Sequence, residues 1–489
     1  MYHPELGTAR YTPSGNKRST MSELHTEHGN SGLVRGLGFI DSSSIVVCAI
    51  IGTGIFLKSS IMAQLLGSPF WVLMAWIAAG VLSLAGALTY AELGSVLPDA
   101  GGDYVYLRKA YGERIAFLFG WMIFTVGSSG IAALATAFAT FFSELLSLKA
   151  VWYELSFLIF DNEILWRFGI RQVVALLAIV VFAVINCTGV GFSGRIQTFF
   201  SITKIVSVLT IIFGVFFFAR NVSWENSAIM FDHGGWPGFR NFGAAMIAAL
   251  WAYNGWYFLG SVGGEVREPQ KNIPRALITG MLVVIAAYLL TNAAYFHALP
   301  FNEIVTSNST LYRDAPPVAG KAAESFLGPV GLRLVMVIFL VSTLGTLHAE
   351  LLTMPRIPYA MARNRRFFKL IGRLGKTSVP VWSIGLMAFW ACLLSLTGTF
   401  DQLTTLMIFS QWIFYGVTAS TVFVLRRKMP DAQRSYRTVG YPVLPILFIG
   451  VAAWLVINNL VTNPLQSVFG VGIILLGFPL YRYFSTHNG

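Results

Sequence analysis

The chain has 489 residues, of which 55% are hydrophobic and only 11% charged, against roughly 25% charged residues in soluble domains. Mean hydropathy is +0.65. So little charge cannot cover so much apolar surface in water. This excludes a soluble enzyme, a disordered chain and a disulfide-stapled secreted domain, and leaves an all-α integral membrane protein with many spans. The net charge of +12 reads as loop charge that orients the chain across the bilayer, and not as a nucleic-acid footprint. Cys48, Cys187 and Cys392 each lie in an apolar run, so no disulfide framework is expected.

Residues 1–32 are polar, lack an apolar signal-peptide core and read as a disordered tail. A membrane-crossing helix needs about 20 apolar residues. From Ser42 to Ala91 the chain is interrupted only by Lys58, and the Gly67-Ser68-Pro69 turn splits this stretch into spans 1 and 2. Ile115 to Ser143 predicts span 3, Gln172 to Gly194 span 4, and Ile196 to Ala219 span 5, which carries Lys204. Asn241 to Gly264 predicts span 6, Ala276 to Asn302 span 7, and Leu334 to Pro355 span 8, which carries Glu350. Thr377 to Phe400 and Gln402 to Leu425 predict spans 9 and 10. The polar pair Asn463-Pro464 divides Thr438 to Tyr481 into spans 11 and 12. Twelve spans put both termini on one side. Most of the 34 Lys and Arg fall in loops on the tail's side, which is therefore expected to be cytoplasmic, in a cell membrane. The basic run Arg356 to Lys376 between spans 8 and 9 suits anionic lipid.

Two spans break the rule that backbone polar groups in lipid are paired within a helix. Span 1 carries Ile51-Gly52-Thr53-Gly54-Ile55-Phe56, and span 6 carries Tyr253-Asn254-Gly255-Trp256. Glycine-marked breaks five helices apart suggest two five-helix repeats with discontinuous first helices, and favour a binding site over close packing by small residues. Unwinding at Gly52 to Gly54 exposes amides that attract a carboxylate, while freed carbonyls accept an ammonium. An amino acid carries both groups. Charges within spans are costly and by default functional, which singles out Lys204 and Glu350. Glu92 lies near the tail-side end of span 2 and reads as structural, as does His348. No nucleotide loop, metal-ligand cluster or catalytic nucleophile appears, so neither enzyme activity nor a cofactor is expected.

The sequence resembles the amino acid–polyamine–organocation superfamily and, within it, the L-type amino-acid transporters. The resemblance rests on Ile50 to Phe56, Gly86 to Gly94, Gly101-Gly102-Asp103-Tyr104-Val105-Tyr106, Asn186-Cys187, Trp251 to Trp256 and Glu265 to Pro274, in that order. It implies two inverted repeats over residues 33–220 and 236–428, followed by spans 11 and 12 over 438–485. It implies that the Thr53 and Gly54 amides, beside Gly52, hold the substrate carboxylate. The carbonyls of Ile50, Trp251 and Asn254 would hold the amine, with Trp251 as a gate and Ser129 and Gln411 lining the pocket. Lys204 would stand where relatives hold a sodium ion. Asn254 and Trp251 depart from the smaller residues usual there, and Glu350 replaces a small polar residue and is expected to pair with Lys204. The loop between spans 3 and 4 has no cysteine, so no disulfide-linked heavy chain is expected. The implied function is sodium-independent exchange of neutral amino acids by alternating access; the alternative is proton symport of amino acids, cationic amino acids or polyamines included.

Overall fold

The computed structural model describes residues 33–148, 150–159, 162–220, 235–309, 311–312, 315–397, 400–462 and 464–487. The expected tail at 1–32 lies outside them. Span 1 is two helices, α1 (Phe39–Ile50) and α2 (Gly54–Leu66), separated by the glycine-flanked break. The Asp41 carboxylate caps the start of α1 by accepting from the Gly38 amide at 3.0 Å. Gly67 closes α2 in the left-handed region at φ +67°, where a side chain would be strained. Pro69 then opens span 2, α3 (Pro69–Val96). A short helix, α4 (Asp103–Tyr111), precedes span 3, which is α5 (Glu113–Met122), a π-helical turn over Ile123–Gly127, and α6 (Ser128–Leu145).

Spans 4 and 5 are α7 (Ile170–Cys187) and α8 (Val190–Phe218). Span 6 is α9 (Gly238–Ala252) and the single turn α10 (Phe258–Ser261), with residues 253–257 unwound between them. Span 7 is α11 (Pro269–Ala298), followed by α12 (Phe301–Val305) and α13 (Val318–Leu327). Span 8 is α14 (Pro329–Thr353), continued by α15 (Arg356–Arg363). Then come α16 (Val381–Thr397), α17 (Phe400–Lys428), α18 (Val443–Thr462) and α19 (Pro464–His487). Among the described residues, ten helical stretches are long and apolar enough to cross a membrane. The other two expected spans are the split span 6 and α16, which has 17 residues.

One loop departs from the all-α expectation. Between spans 3 and 4, β1 (Val151–Ile159) and β2 (Asn162–Gly169) form an antiparallel hairpin. Glu154 and Arg167 face each other across it and pair at 2.8 Å. Cross-strand pairing of opposite charges favours such a ribbon, and a loop signal dominated by the long apolar spans on either side concealed it.

At the tail-side end, three clusters tie the helices together. The segment before α1 adds one parallel bridge to the chain after α10: Leu37 donates to the Glu265 carbonyl at 2.9 Å and accepts from the Arg267 amide at 2.8 Å. The Glu265 carboxylate in turn receives two nitrogens of the buried Arg356 guanidinium, at 3.0 and 3.2 Å on Oε1. Glu92 is structural, as expected: Arg426 meets it at 2.7 Å, Arg434 at 3.3 Å, and the Thr438 amide at 2.7 Å. His348 shares a buried contact of 2.6 Å with Gln197.

Candidate functional site

The two breaks meet. Gly255 has φ +117°, and a Cβ there would come within 2.9 Å of the Ala49 carbonyl carbon in α1. A Cβ on Gly54 would come within 2.5 Å of Ala252 Cβ at the end of α9. Glycine is thus required on both sides, because backbone meets backbone. The sequence reading named the Gly255 cluster but not this contact.

The carbonyls freed by the breaks are satisfied from three neighbouring helices. The Lys204 ammonium, on α8, donates to the Cys48 carbonyl at 2.6 Å and to the Thr346 hydroxyl at 2.8 Å. Ser342, one turn before Thr346 on α14, donates to the Ile51 carbonyl at 3.1 Å. The Tyr288 hydroxyl, on α11, lies 3.0 Å from the carbonyls of both Ile50 and Ala252 and shares its proton between the two halves of the site. Trp76 and Tyr253 hold the Tyr288 ring by edge contacts and tilted packing, at 5.3 and 5.0 Å between centroids. Sequence reasoning missed Tyr288 and Ser342. Both sit inside apolar helices where nothing local distinguishes them.

Between the breaks lies a small cavity. Span 1 contributes Ile50, Gly52, Thr53 and Gly54; span 6 contributes Trp251, Asn254, Gly255 and Phe258; Leu134, Thr346 and Glu350 complete the wall with Ala49 and Ala252. At the start of α2, helix geometry leaves the first amides without a partner four residues back, so the Thr53–Gly54 turn presents N–H groups and a partial positive charge. The Ile50 carbonyl, expected to hold an amine, already accepts from Tyr288 and keeps its second lone pair.

Three expectations about side chains are corrected. Lys204 and Glu350 do not pair: the ammonium is used on Cys48 and Thr346, and Glu350 Oε2 has no hydrogen-bond partner. Ser129 does not line the cavity. The π turn swings its hydroxyl onto the backbone of α17, 2.9 Å from the Leu403 carbonyl. Gln411 is also outside the wall and stands behind Asn254, which donates to Gln411 Oε1 at 3.1 Å, while Tyr415 donates to Asn254 Oδ1 at 2.6 Å. Gln411 also donates to the Tyr257 hydroxyl. This network holds the unwound part of span 6 against α17.

Fold and site together define a multi-pass membrane protein with a small polar-and-apolar cavity between two broken helices. Residues 37–478 match the amino acid permease family, and the chain belongs to that family, within the amino acid–polyamine–organocation superfamily and resembling its L-type transporters. It is 32% identical over 463 residues to the serine/threonine exchanger SteT of Bacillus subtilis, covering 94% of this chain and 98% of that protein. It is 28% identical over 480 residues to the large neutral amino acids transporter small subunit 2 of Rattus norvegicus, covering 97% and 85%. It is also 28% identical over 455 residues to the human cystine/glutamate transporter, covering 92% and 85%. The relatives are transporters of amino acids, and the chain is a membrane transporter of this class.

Proposed function

We propose that the protein is a sodium-independent amino-acid exchanger that works by alternating access. The observation that carries this reading is the Lys204 ammonium on the Cys48 carbonyl at the end of α1. A fixed side-chain cation satisfies the broken helix, and no soluble cation is needed to do so. The amides at Thr53 and Gly54 receive the substrate carboxylate, and the carbonyls around Ile50, Trp251 and Asn254 receive the amine. Trp251 is the gate that closes over the bound amino acid. Ten spans, with span 6 and α16, make twelve crossings; residues 33–220 and 236–428 form two inverted repeats, 438–485 adds the last two helices, and both termini are cytoplasmic. The three cysteines lie in α1, α7 and α16, so the carrier works without a disulfide-linked partner.

The apolar walls at Leu134, Trp251 and Phe258 suit a neutral side chain. One observation favours a second reading, proton-coupled uptake: the Glu350 carboxylate in the cavity wall. Counterflow into proteoliposomes separates the two. Internal substrate accelerating uptake of external label, with no response to sodium or a pH gradient, supports exchange. Uptake driven by an acid-outside gradient into empty vesicles supports symport instead. Uptake that requires sodium overturns both.

A further inference from the structure

Glu350 is 5% exposed, lines the cavity, and its Oε2 has no hydrogen-bond partner. The cations that could have neutralised it are engaged elsewhere. Lys204 holds Cys48 and Thr346, and Arg356, the next guanidinium along the chain at the start of α15, holds Glu265. A buried carboxylate without a counter-charge is several kcal/mol less favourable than a paired one, and in a membrane such a group is functional by default. The chain leaves room for its oxygen. A Cβ on Gly130 in α6 would stand 3.0 Å from Glu350 Oε2 and 2.4 Å from Met407 Sδ.

The position of Glu350 relative to the breaks sets what it can meet. Thr346 marks the level of the span 1 break, since its hydroxyl reaches the Cys48 carbonyl at 3.2 Å. Glu350 follows it by four residues on α14, one turn or about 5.4 Å further along the helix axis. Glu350 therefore lies within about one helical turn of a substrate whose carboxylate and amine sit at the breaks. A short neutral side chain leaves the carboxylate unpaired, whereas an extended side chain ending in an ammonium or guanidinium supplies the missing charge.

We infer that Glu350 is the specificity-determining residue of the cavity and that the protein carries amino acids with a cationic side chain, of the lysine, ornithine and arginine class. The inference rests on the exchange reading above and puts a cationic side-chain class in place of the neutral one that the apolar walls suit, because Glu350 lies in the same wall. Once the zwitterionic head is placed, the guanidinium or ammonium tip and Glu350 form a charge-assisted pair inside a water-poor pocket, where such bonds are strongest.

The test compares isosteres, so that the head group is held constant. In proteoliposomes holding the full chain, unlabelled arginine against citrulline, and lysine against norleucine, compete with labelled arginine in counterflow. For the wild type, each cation is expected to inhibit at least tenfold more effectively than its neutral isostere. In Glu350→Gln that ratio is expected to collapse towards one, and in Glu350→Asp to recover in part. If Glu350→Gln does not fold, the ratio in Glu350→Asp decides, and a ratio there equal to that of the wild type overturns the role of Glu350. Equal inhibition by arginine and citrulline in the wild type overturns the inference. So does labelled serine or leucine exchanging while arginine does not, and either result leaves the exchange reading standing. Loss of pH-driven uptake in Glu350→Gln with the arginine-to-citrulline ratio intact also overturns it, by making Glu350 a proton site. If no amino acid of any class exchanges, the exchange reading itself fails.

Discussion

The Lys204 ammonium lies 2.6 Å from the carbonyl oxygen of Cys48, on a helix that ends two residues later. A lysine from α8 thereby terminates α1, with the Thr346 hydroxyl of α14 completing the contact at 2.8 Å. Movement of α1 during transport must break or carry this bond. Lys204→Met keeps the apolar stem and removes the donor. Leaving the Cys48 carbonyl short of its charged partner costs about 1–3 kcal/mol. Exchange is expected to fall at least tenfold; exchange in Lys204→Met within twofold of wild type would assign Lys204 a different role.

The break in span 1 has no space for a side chain. A Cβ on Gly54 meets Ala252 Cβ at 2.5 Å and Ala252 Cα at 2.7 Å, so Gly54→Val must drive α2 away from α9. Gly255→Ala adds a strained positive φ to a 2.9 Å approach to Ala49. Both variants are expected to lose substrate binding by more than tenfold, measured by ligand-induced thermal stabilisation in detergent. Binding of a transported amino acid within twofold of wild type in well-folded Gly54→Val protein contradicts the assignment.

Trp251 is the penultimate residue of α9 and lines the cavity. In the proposed gate role it would contribute more to closure over the substrate than to the resting fold. Trp251→Ala is expected to reduce exchange at least tenfold while lowering the apparent melting temperature by only a few degrees. A loss of stability that fully accounts for the loss of transport makes Trp251 a packing residue.

Asp103 opens α4 outside the spans and is 1% exposed. Burial pushes its carboxyl up to about 6, opposed by the hydroxyls of Tyr90 and Thr418. In the unfolded chain the group titrates near 3.9. Between roughly pH 4 and 6 the native protein therefore holds a proton that the unfolded chain releases. The stability contributed is fully present below about pH 4 and lost as pH rises through 6, a change of about 3 kcal/mol at most. Asp103→Asn is expected to flatten the fall in apparent melting temperature between pH 4.5 and 7.5. Identical pH slopes for variant and wild type would show that other groups set the trend.

The chain by itself determined the long apolar runs and the two breaks. Apolar run length, glycine clusters at Gly52 to Gly54 and at Gly255, and the order of the motifs are local properties that sequence records directly. The residues expected at the carboxylate and amine, Ile50, Gly52, Thr53, Gly54, Trp251 and Asn254, all line one cavity. What only the tertiary structure decided is which polar side chains meet across helices. Lys204 reaches Cys48 and Thr346 and not Glu350; Ser129 turns onto α17; Gln411 stands behind Asn254; and Tyr288, in a helix without any break, joins both halves of the site. The reason is rotational. Each residue turns about 100° around its helix, and a single π turn, as in span 3, resets the face of everything beyond it. Partners on different helices are therefore fixed only when the helices pack.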